Sequence, residues 1–559
     1  AGGEVEDQVR VGRAVHVVEG DDLGEALDLD EEVEALIGGR GRLGEGGGRE
    51  QERERGEEEG GMTNHSLSPL LDPSSALADF AGMNLINGAR VPSAARLDVL
   101  NPATGALLAE AAAASVAETD AAVAAARDAG AGWAATPARA RGKAVAAAGR
   151  AIAAQSEAIA RLLAMETGKA LRTECRGEVA VAADLLEFYG GLGSELKGET
   201  VPYNPRMLTM TTREPLGVVA AILPWNVPLV LMMLKIAPAL VAGNTVVVKA
   251  SEEAPFATLL CAEILSHHLP AGTVNVVCGT GADCGAALTA HPDVAKITFT
   301  GSEGVGQAVY EAGAKKIVPV SLELGGKSPM IVCADANLDK VVEGALSGMR
   351  FTRQGQSCTA SSRIYVHDDL KDAFVARLRA RLDAMVIGDP LDEATEIGTI
   401  INARQAATIR SYVAKAEATP GAEVIRCGTR PAGGALSPEL FELPTLLLGL
   451  PEDHPCVTEE IFGPVAVIQG WSDYEDVIAR ANDSRYGLAA TVWTRDLNTA
   501  LDATARLNAG YVQVNQNLTI QPNVSYGGFG RSGLGKEASL EAMLEHFTRK
   551  KTIVMSFDG

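Results

Sequence analysis

A chain of 559 residues, 47% hydrophobic and 22% charged, is long enough for two or three domains and has a globular composition. Its formal net charge of −23 argues against nucleic acid and anionic membranes as partners. Its eight cysteines form no Cys-x-x-Cys pair, so no metal site and no disulfide framework is expected, and a reducing, cytoplasmic location fits.

Residues 1–61 hold 19 acidic and 7 basic side chains, a charge of 7 − 19 = −12. A segment so rich in Glu, Gly and Arg cannot bury enough apolar surface to offset its ordering entropy, which predicts a disordered acidic extension. Met62 reads as the functional start and the stretch before it as an extension or mis-assigned start; an acidic regulatory tail is the alternative. That stretch lacks the basic-then-apolar layout of a secretory signal. From Asn84 to Thr104, the turn signals Asn87-Gly88 and Asn101-Pro102-Ala103-Thr104-Gly105 predict short strands. Ala111 to Phe188 is Ala-rich with helical period; Pro137 opens one helix and Gly168 sits in a break. Met207–Arg213 reads as an exposed strand whose free edge wants covering, by another chain in this reading. The uncharged run Leu216 to Leu234 is long enough to cross a membrane, but Pro224, Asn226 and Pro228 interrupt it. A strand, a turn and a helix are expected there instead.

Buried strands are expected at Gly217–Leu223, Thr245–Lys249, Val274–Val277, Ala295–Phe299 and Ile317–Ser321, with helical stretches between. This alternation predicts an α/β fold with a doubly wound parallel sheet. Ligands on such sheets bind beyond the carboxyl ends of the strands, so the turns after each strand carry the information. They read Pro224-Trp225-Asn226-Val227-Pro228, then Lys249-Ala250-Ser251-Glu252, then Gly279 to Gly285 around Gly281, then Phe299-Thr300-Gly301-Ser302. None is Gly-x-Gly-x-x-Gly, and taken alone each is compatible with an ordinary turn or helix cap.

Two blocks change that. Glu323-Leu324-Gly325-Gly326-Lys327-Ser328-Pro329 leads a carboxylate into a paired-glycine turn. Downstream, Phe351-Thr352-Arg353-Gln354-Gly355-Gln356-Ser357-Cys358-Thr359 sets one cysteine among small residues. A thiol and a carboxylate able to act as base are the minimum kit for covalent catalysis. In this order and spacing the two blocks resemble the signature motifs of the aldehyde dehydrogenase superfamily. The resemblance runs from about Leu85 to Val554 and includes Glu459-Glu460-Ile461-Phe462-Gly463-Pro464 and Gly527 to Glu537. One departure is Gly530, which stands where the commoner family form has Lys.

The resemblance implies Cys358 as nucleophile, Glu323 as hydrolytic base, Asn226 as oxyanion donor and Lys235 as a lysine near the active site. It implies NAD as cofactor, with NADP weaker, held by Pro224, Trp225, Lys249, Glu252, Gly281, Phe299, Gly301, Ser302, Leu324, Gly325, Glu460 and Phe462. Glu252 would bond the adenosine ribose and repel a 2′-phosphate. It implies a cofactor domain at 62–196 and 216–324, a catalytic domain at 325–531, and oligomerisation strands at 197–215 and 545–559 in a homodimer or homotetramer. The implied reaction takes a small-molecule aldehyde to its acid through a thiohemiacetal and a thioester. The rivals are a CoA-acylating enzyme, disfavoured by Glu323, and an inactive relic of the fold, disfavoured because nucleophile, base and cofactor Glu are all present. Val227, Val230, Leu231, Leu234, Thr352, Ser357 and Thr359 are expected around the substrate. Their apolar character predicts a neutral aliphatic or aromatic aldehyde. A semialdehyde would want a converging Arg, for which only Arg350 and Arg353 are near in sequence; betaine aldehyde would want an aromatic box.

Overall fold

The structure is a computed structural model that describes residues 72–431, 433–517 and 520–557. The expected extension 1–61 and Met62 lie outside the described residues. Two large sheets organise the rest. The first has eight strands in the order Ala89–Pro92, Met83–Ile86, Val274–Cys278, Thr245–Ala250, Val218–Ile222, Val294–Thr300, Val320–Glu323 and Gly533–Leu534. Its five middle strands are parallel, in register through Val218↔Thr245, Val246↔Val274 and Thr300↔Glu323. These strands are near-continuous Val, Ile and Ala because helices bury them on both faces. The second sheet has seven strands, in the order Glu423–Arg426, Thr445–Leu448, Val465–Trp471, Arg363–His367, Pro329–Val332, Ala489–Trp493 and Tyr511–Val514. The chain passes from one sheet to the other between Glu323 and Pro329, so the Glu-Leu-Gly-Gly block is the crossover itself.

Four of the five expected strands lie within one or two residues of their predicted bounds. The fifth is displaced: the strand is Val320–Glu323, not Ile317–Ser321. Ile317 instead caps the preceding helix in the left-handed region (φ 57°), with its side chain 92% exposed. The shift puts Glu323 at the carboxyl end of a strand.

The run Leu216 to Leu234 divides as expected into strand Val218–Ile222, a turn, and helix Pro228–Ala242 with Pro at its first turn. Every residue of that helix is buried, which explains its lack of a polar face. Among the described residues no helix is long and apolar enough to cross a membrane.

The strand Met207–Pro215 does not leave its edge open. The closing strand Thr548–Ser556 pairs with it antiparallel in the same chain, from Thr548↔Pro215 to Ser556↔Met207, and Thr200–Val201 covers the other edge. The edge expected to want another chain is thus paired within this one.

Candidate active site

Helix Leu338–Met349 ends at Arg350 in the left-handed region (φ 57°), and a short 3-10 turn, Phe351–Arg353, follows. Gln354 and Gly355 are left-handed too (φ 57° and 63°), so the chain doubles back before Cys358. A Cβ at residue 355 would lie 2.0 Å from the Gly463 carbonyl oxygen, so only glycine lets the loop press against that turn. The pressed loop presents Cys358 to a cavity of about 270 Å³. All eight cysteines are unpaired, and Cys358 alone of them is not fully buried. Its Sγ lies 3.6 Å from the Tyr526 hydroxyl. Burial pushes the thiol up to about 11; Glu460 and Glu323 add to the rise, while the Tyr526 hydrogen bond and Arg353 oppose it.

Asn226 lines the same cavity. Its side-chain amide donates to the Gln356 carbonyl (3.1 Å), and its own carbonyl accepts from Lys169 Nζ (2.9 Å). One amide hydrogen is thus spent on orientation, and the other donates to nothing among the described residues. The Cys358 backbone N–H donates to nothing among the described residues. Two donors beside one thiol make a site able to hold an oxyanion.

Glu323 is 4% exposed, and its Oε2 has no hydrogen-bond partner among the described residues. Its other oxygen sits against Gly527, where a Cβ would come within 2.6 Å of it. Burial raises this carboxyl well above the ordinary range, Glu537 raises it further, and Lys235 and Lys536 pull it back. Glu323 does not line the substrate cavity, but it is near enough to Cys358 for its charge to act on the thiol. Lys235 is fully buried and ion-paired to Glu537 (2.7 Å), 302 residues away. It does not line the cavity; its connection to the site runs through Glu537 and Glu323.

The cofactor candidates cluster at the carboxyl ends of the first sheet and on the crossover. Lys249, one residue before the end of its strand, pairs with Glu252 (2.7 Å), which overcomes burial and holds Glu252 below the usual carboxylate range. Gly281 begins the turn Gly281–Gly285. Helix Glu303–Lys316 follows its N-cap Ser302 with no side-chain cap hydrogen bond, the kind of helix start that can face an anion. The Phe299 ring lies where a Cβ on Gly301 would clash (2.5 Å). Leu324 donates its N–H to the Ser532 carbonyl (2.8 Å). Glu460 accepts from the Gly326 N–H (3.0 Å), and a Cβ on Gly325 would fall 2.1 Å from its Oε2. Burial lifts Glu460 to about 7 against that hydrogen bond. Trp225, beside Pro224, meets Phe462 edge-on at 5.4 Å between ring centres. Among the described residues no group of acidic, Cys and His side chains could hold a metal ion.

Residues 90–553 match the model of the aldehyde dehydrogenase family. The chain belongs to that family. This aldehyde dehydrogenase is 38% identical over 480 residues to a hydroxyisobutyraldehyde dehydrogenase of Mycolicibacterium austroafricanum, covering 85% of this chain and 93% of that protein. Its fold is similar to the crystal structure of a putative aldehyde dehydrogenase from Burkholderia cenocepacia (37% identity, TM-score 0.83, 86% and 98% of the two chains). It is also similar to betaine aldehyde dehydrogenase from Staphylococcus aureus, solved in complex with NAD+ (32% identity, TM-score 0.83, 87% and 96%).

The dehydrogenase's cavity has the apolar wall expected of Val227, Val230 and Leu231, with Ser357 and Thr359 beside Cys358. Two expected lining residues are absent from it. Leu234 is turned into the core, and Thr352 instead donates to Glu174 (2.5 Å). Sequence reasoning missed Tyr526, Glu174 and Gly527. Tyr526 precedes the Gly527 to Glu537 block and carries no motif of its own, and Glu174 sits in the Ala-rich stretch read only as helical. Gly527 opens the Gly-Gly-Phe-Gly motif, a usable signal whose purpose shows only once Glu323 lies against it.

Proposed function

We propose that this dehydrogenase oxidises an aldehyde to the carboxylic acid with NAD, through covalent catalysis at Cys358. One observation carries the reading: the single incompletely buried thiol opens onto a cavity beside two free hydrogen-bond donors. The Cys358 thiolate attacks the carbonyl carbon, forming a C–S bond and an alkoxide. Asn226 and the Cys358 N–H donate to that oxygen, a contribution of roughly 3–4 kcal/mol for each such donor. Collapse of the thiohemiacetal leaves a thioester on Sγ. Glu323 then takes a proton from water, the hydroxide adds to the thioester, the C–S bond breaks and the acid leaves.

When bound, NAD supplies the hydride acceptor. The uncapped helix start at Ser302 suits its pyrophosphate, the Lys249–Glu252 pair its adenosine ribose, and Glu460 its nicotinamide ribose. In this reading the first sheet is the cofactor half and the second the catalytic half. The three-stranded sheet joins copies into a homodimer or homotetramer, which light scattering would measure; Val554 and Met555 on its outer strand are about half exposed. The aldehyde's body lies along Val227, Val230 and Leu231, so an aliphatic or aromatic body fits.

The test is a panel of aldehydes with NAD, followed as NADH absorbance, in wild type and Cys358→Ala. Turnover confined to wild type is expected. Absence of turnover in wild type, or its survival in Cys358→Ala, would refute the reading.

A further inference from the structure

Four charged side chains line the substrate cavity: Glu174, Glu178, Arg350 and Arg353. Three are neutralised inside the protein. Arg353 grips Glu174 through Nε (2.7 Å) and Nη2 (2.5 Å). Glu178 is paired with the buried Lys169 and also accepts from the Leu229 N–H. The thiol of Cys358 is held neutral by burial. Only Arg350 is left over. Arg350 is half-buried, and among the described residues its guanidinium forms no ion pair and donates no hydrogen bond; the charge of Glu174, already held by Arg353, reaches it only in part. A guanidinium that lines the cavity without a partner is available to pair with an anionic ligand.

The backbone points the same way. Arg350 stands at the end of helix Leu338–Met349 with φ 57°, a position where glycine or asparagine is ordinarily preferred. An arginine there gives up backbone comfort to place its side chain. It also lines the adjoining cleft with Asn515 and Asn517, so it stands where cleft and cavity meet.

Resting on the dehydrogenase reading above, we infer that Arg350 binds the carboxylate of an aldehyde whose far end is an acid. The substrate class is thus an ω-oxo carboxylic acid, or a carboxylated aromatic aldehyde, with its hydrocarbon body along Val227, Val230 and Leu231. This replaces the neutral aldehyde expected from sequence, which took account of the apolar wall but not of the direction of Arg350. A guanidinium takes a carboxylate through two parallel N–H bonds, which a lysine cannot reproduce. The same charge repels a quaternary-ammonium aldehyde.

The test compares matched pairs: pentanal with 5-oxopentanoate, hexanal with 6-oxohexanoate, and benzaldehyde with 4-carboxybenzaldehyde. In wild type at least one carboxylated member should exceed its neutral partner by about tenfold or more in kcat/KM. Arg350→Met should collapse that ratio by at least about tenfold, mainly through KM, and Arg350→Lys should keep part of it. Adipate should compete with hexanal in wild type, an arm that needs no variant to fold. Neutral aldehydes preferred throughout, or a ratio unchanged in a folded Arg350→Met, would overturn the assignment and leave aldehyde oxidation standing. A wild type that oxidises no aldehyde of either kind would sink both.

Discussion

Alkylation of the free enzyme by iodoacetamide should rise about tenfold per pH unit from pH 7 to pH 10, with no plateau. Burial, reinforced by Glu460 and Glu323, places the Cys358 thiol at about 11 against an ordinary 9.0, despite Arg353 and the Tyr526 hydroxyl. The thiolate is the reacting species, so at pH 7 only about one molecule in 10⁴ reacts at any moment. An ordinary thiol would present about one in 10², so Cys358 should alkylate roughly a hundredfold more slowly than a small thiol at the same pH. The sign is fixed by the chemistry: losing a proton creates the nucleophile, so the rate climbs as pH climbs. The label should be single, because the other seven cysteines are buried. Peptide mass spectrometry over time at each pH gives the rate constant directly, with Cys358→Ala as the blank. A plateau at or below about pH 8.5 would show that the pocket activates its thiol in the free state, contrary to the burial argument.

Glu323→Gln should slow thioester hydrolysis by about 10²–10⁴ while leaving a rapid first turnover, seen as a burst of NADH in stopped flow; unchanged steady turnover would assign the base elsewhere. Discrimination between cofactors should favour NAD over NADP by at least about tenfold in kcat/KM, and Glu252→Gln should narrow the gap. Equal use of both by wild type would remove Glu252 from that role. Gly527→Ala, at φ 147° and with its Cβ 2.6 Å from the Glu323 carboxylate, should lower the melting temperature and slow deacylation together. A variant with wild-type melting and turnover would show that this contact does not fix Glu323.

The parallel strands were readable because both faces are buried, which writes them as unbroken apolar runs. The one displaced strand shows the limit of that signal. Ile317 and Val318 read as its start, yet Ile317 is solvent-exposed at a helix cap, a position decided by backbone handedness rather than hydrophobicity. Cys358 and Glu323 were readable because their flanking glycines and small residues are local requirements of a thiol that must be reached and a carboxylate that must be turned. What local sequence could not carry were partnerships across the chain. Lys235 reads as one more helix lysine until Glu537 is folded against it. Arg350 and Arg353 read alike; Glu174, 179 residues from Arg353, neutralises one and leaves the other.

Burial does more at this site than exclude water. A carboxylate of ordinary strength, near 4.5, is several pKa units too weak to take a proton from a thiol near 9. Here the apolar surroundings raise Glu323 as well as Cys358, and the neighbouring Glu537 raises Glu323 further, so the base gains strength in the environment that weakens the acid. Lys235 holds that balance by neutralising Glu537 in a place where an unpaired carboxylate would be costly. Its position out of the cavity, puzzling for a residue expected at the active site, is consistent with that indirect electrostatic part. With the thiol held neutral and the Glu323 carboxyl raised, Arg350 is, among the described residues, the charged side chain lining the cavity that has no ion-pair partner. The arrangement therefore lets an anionic tail be drawn to Arg350 without a thiolate or an unpaired cavity carboxylate repelling it.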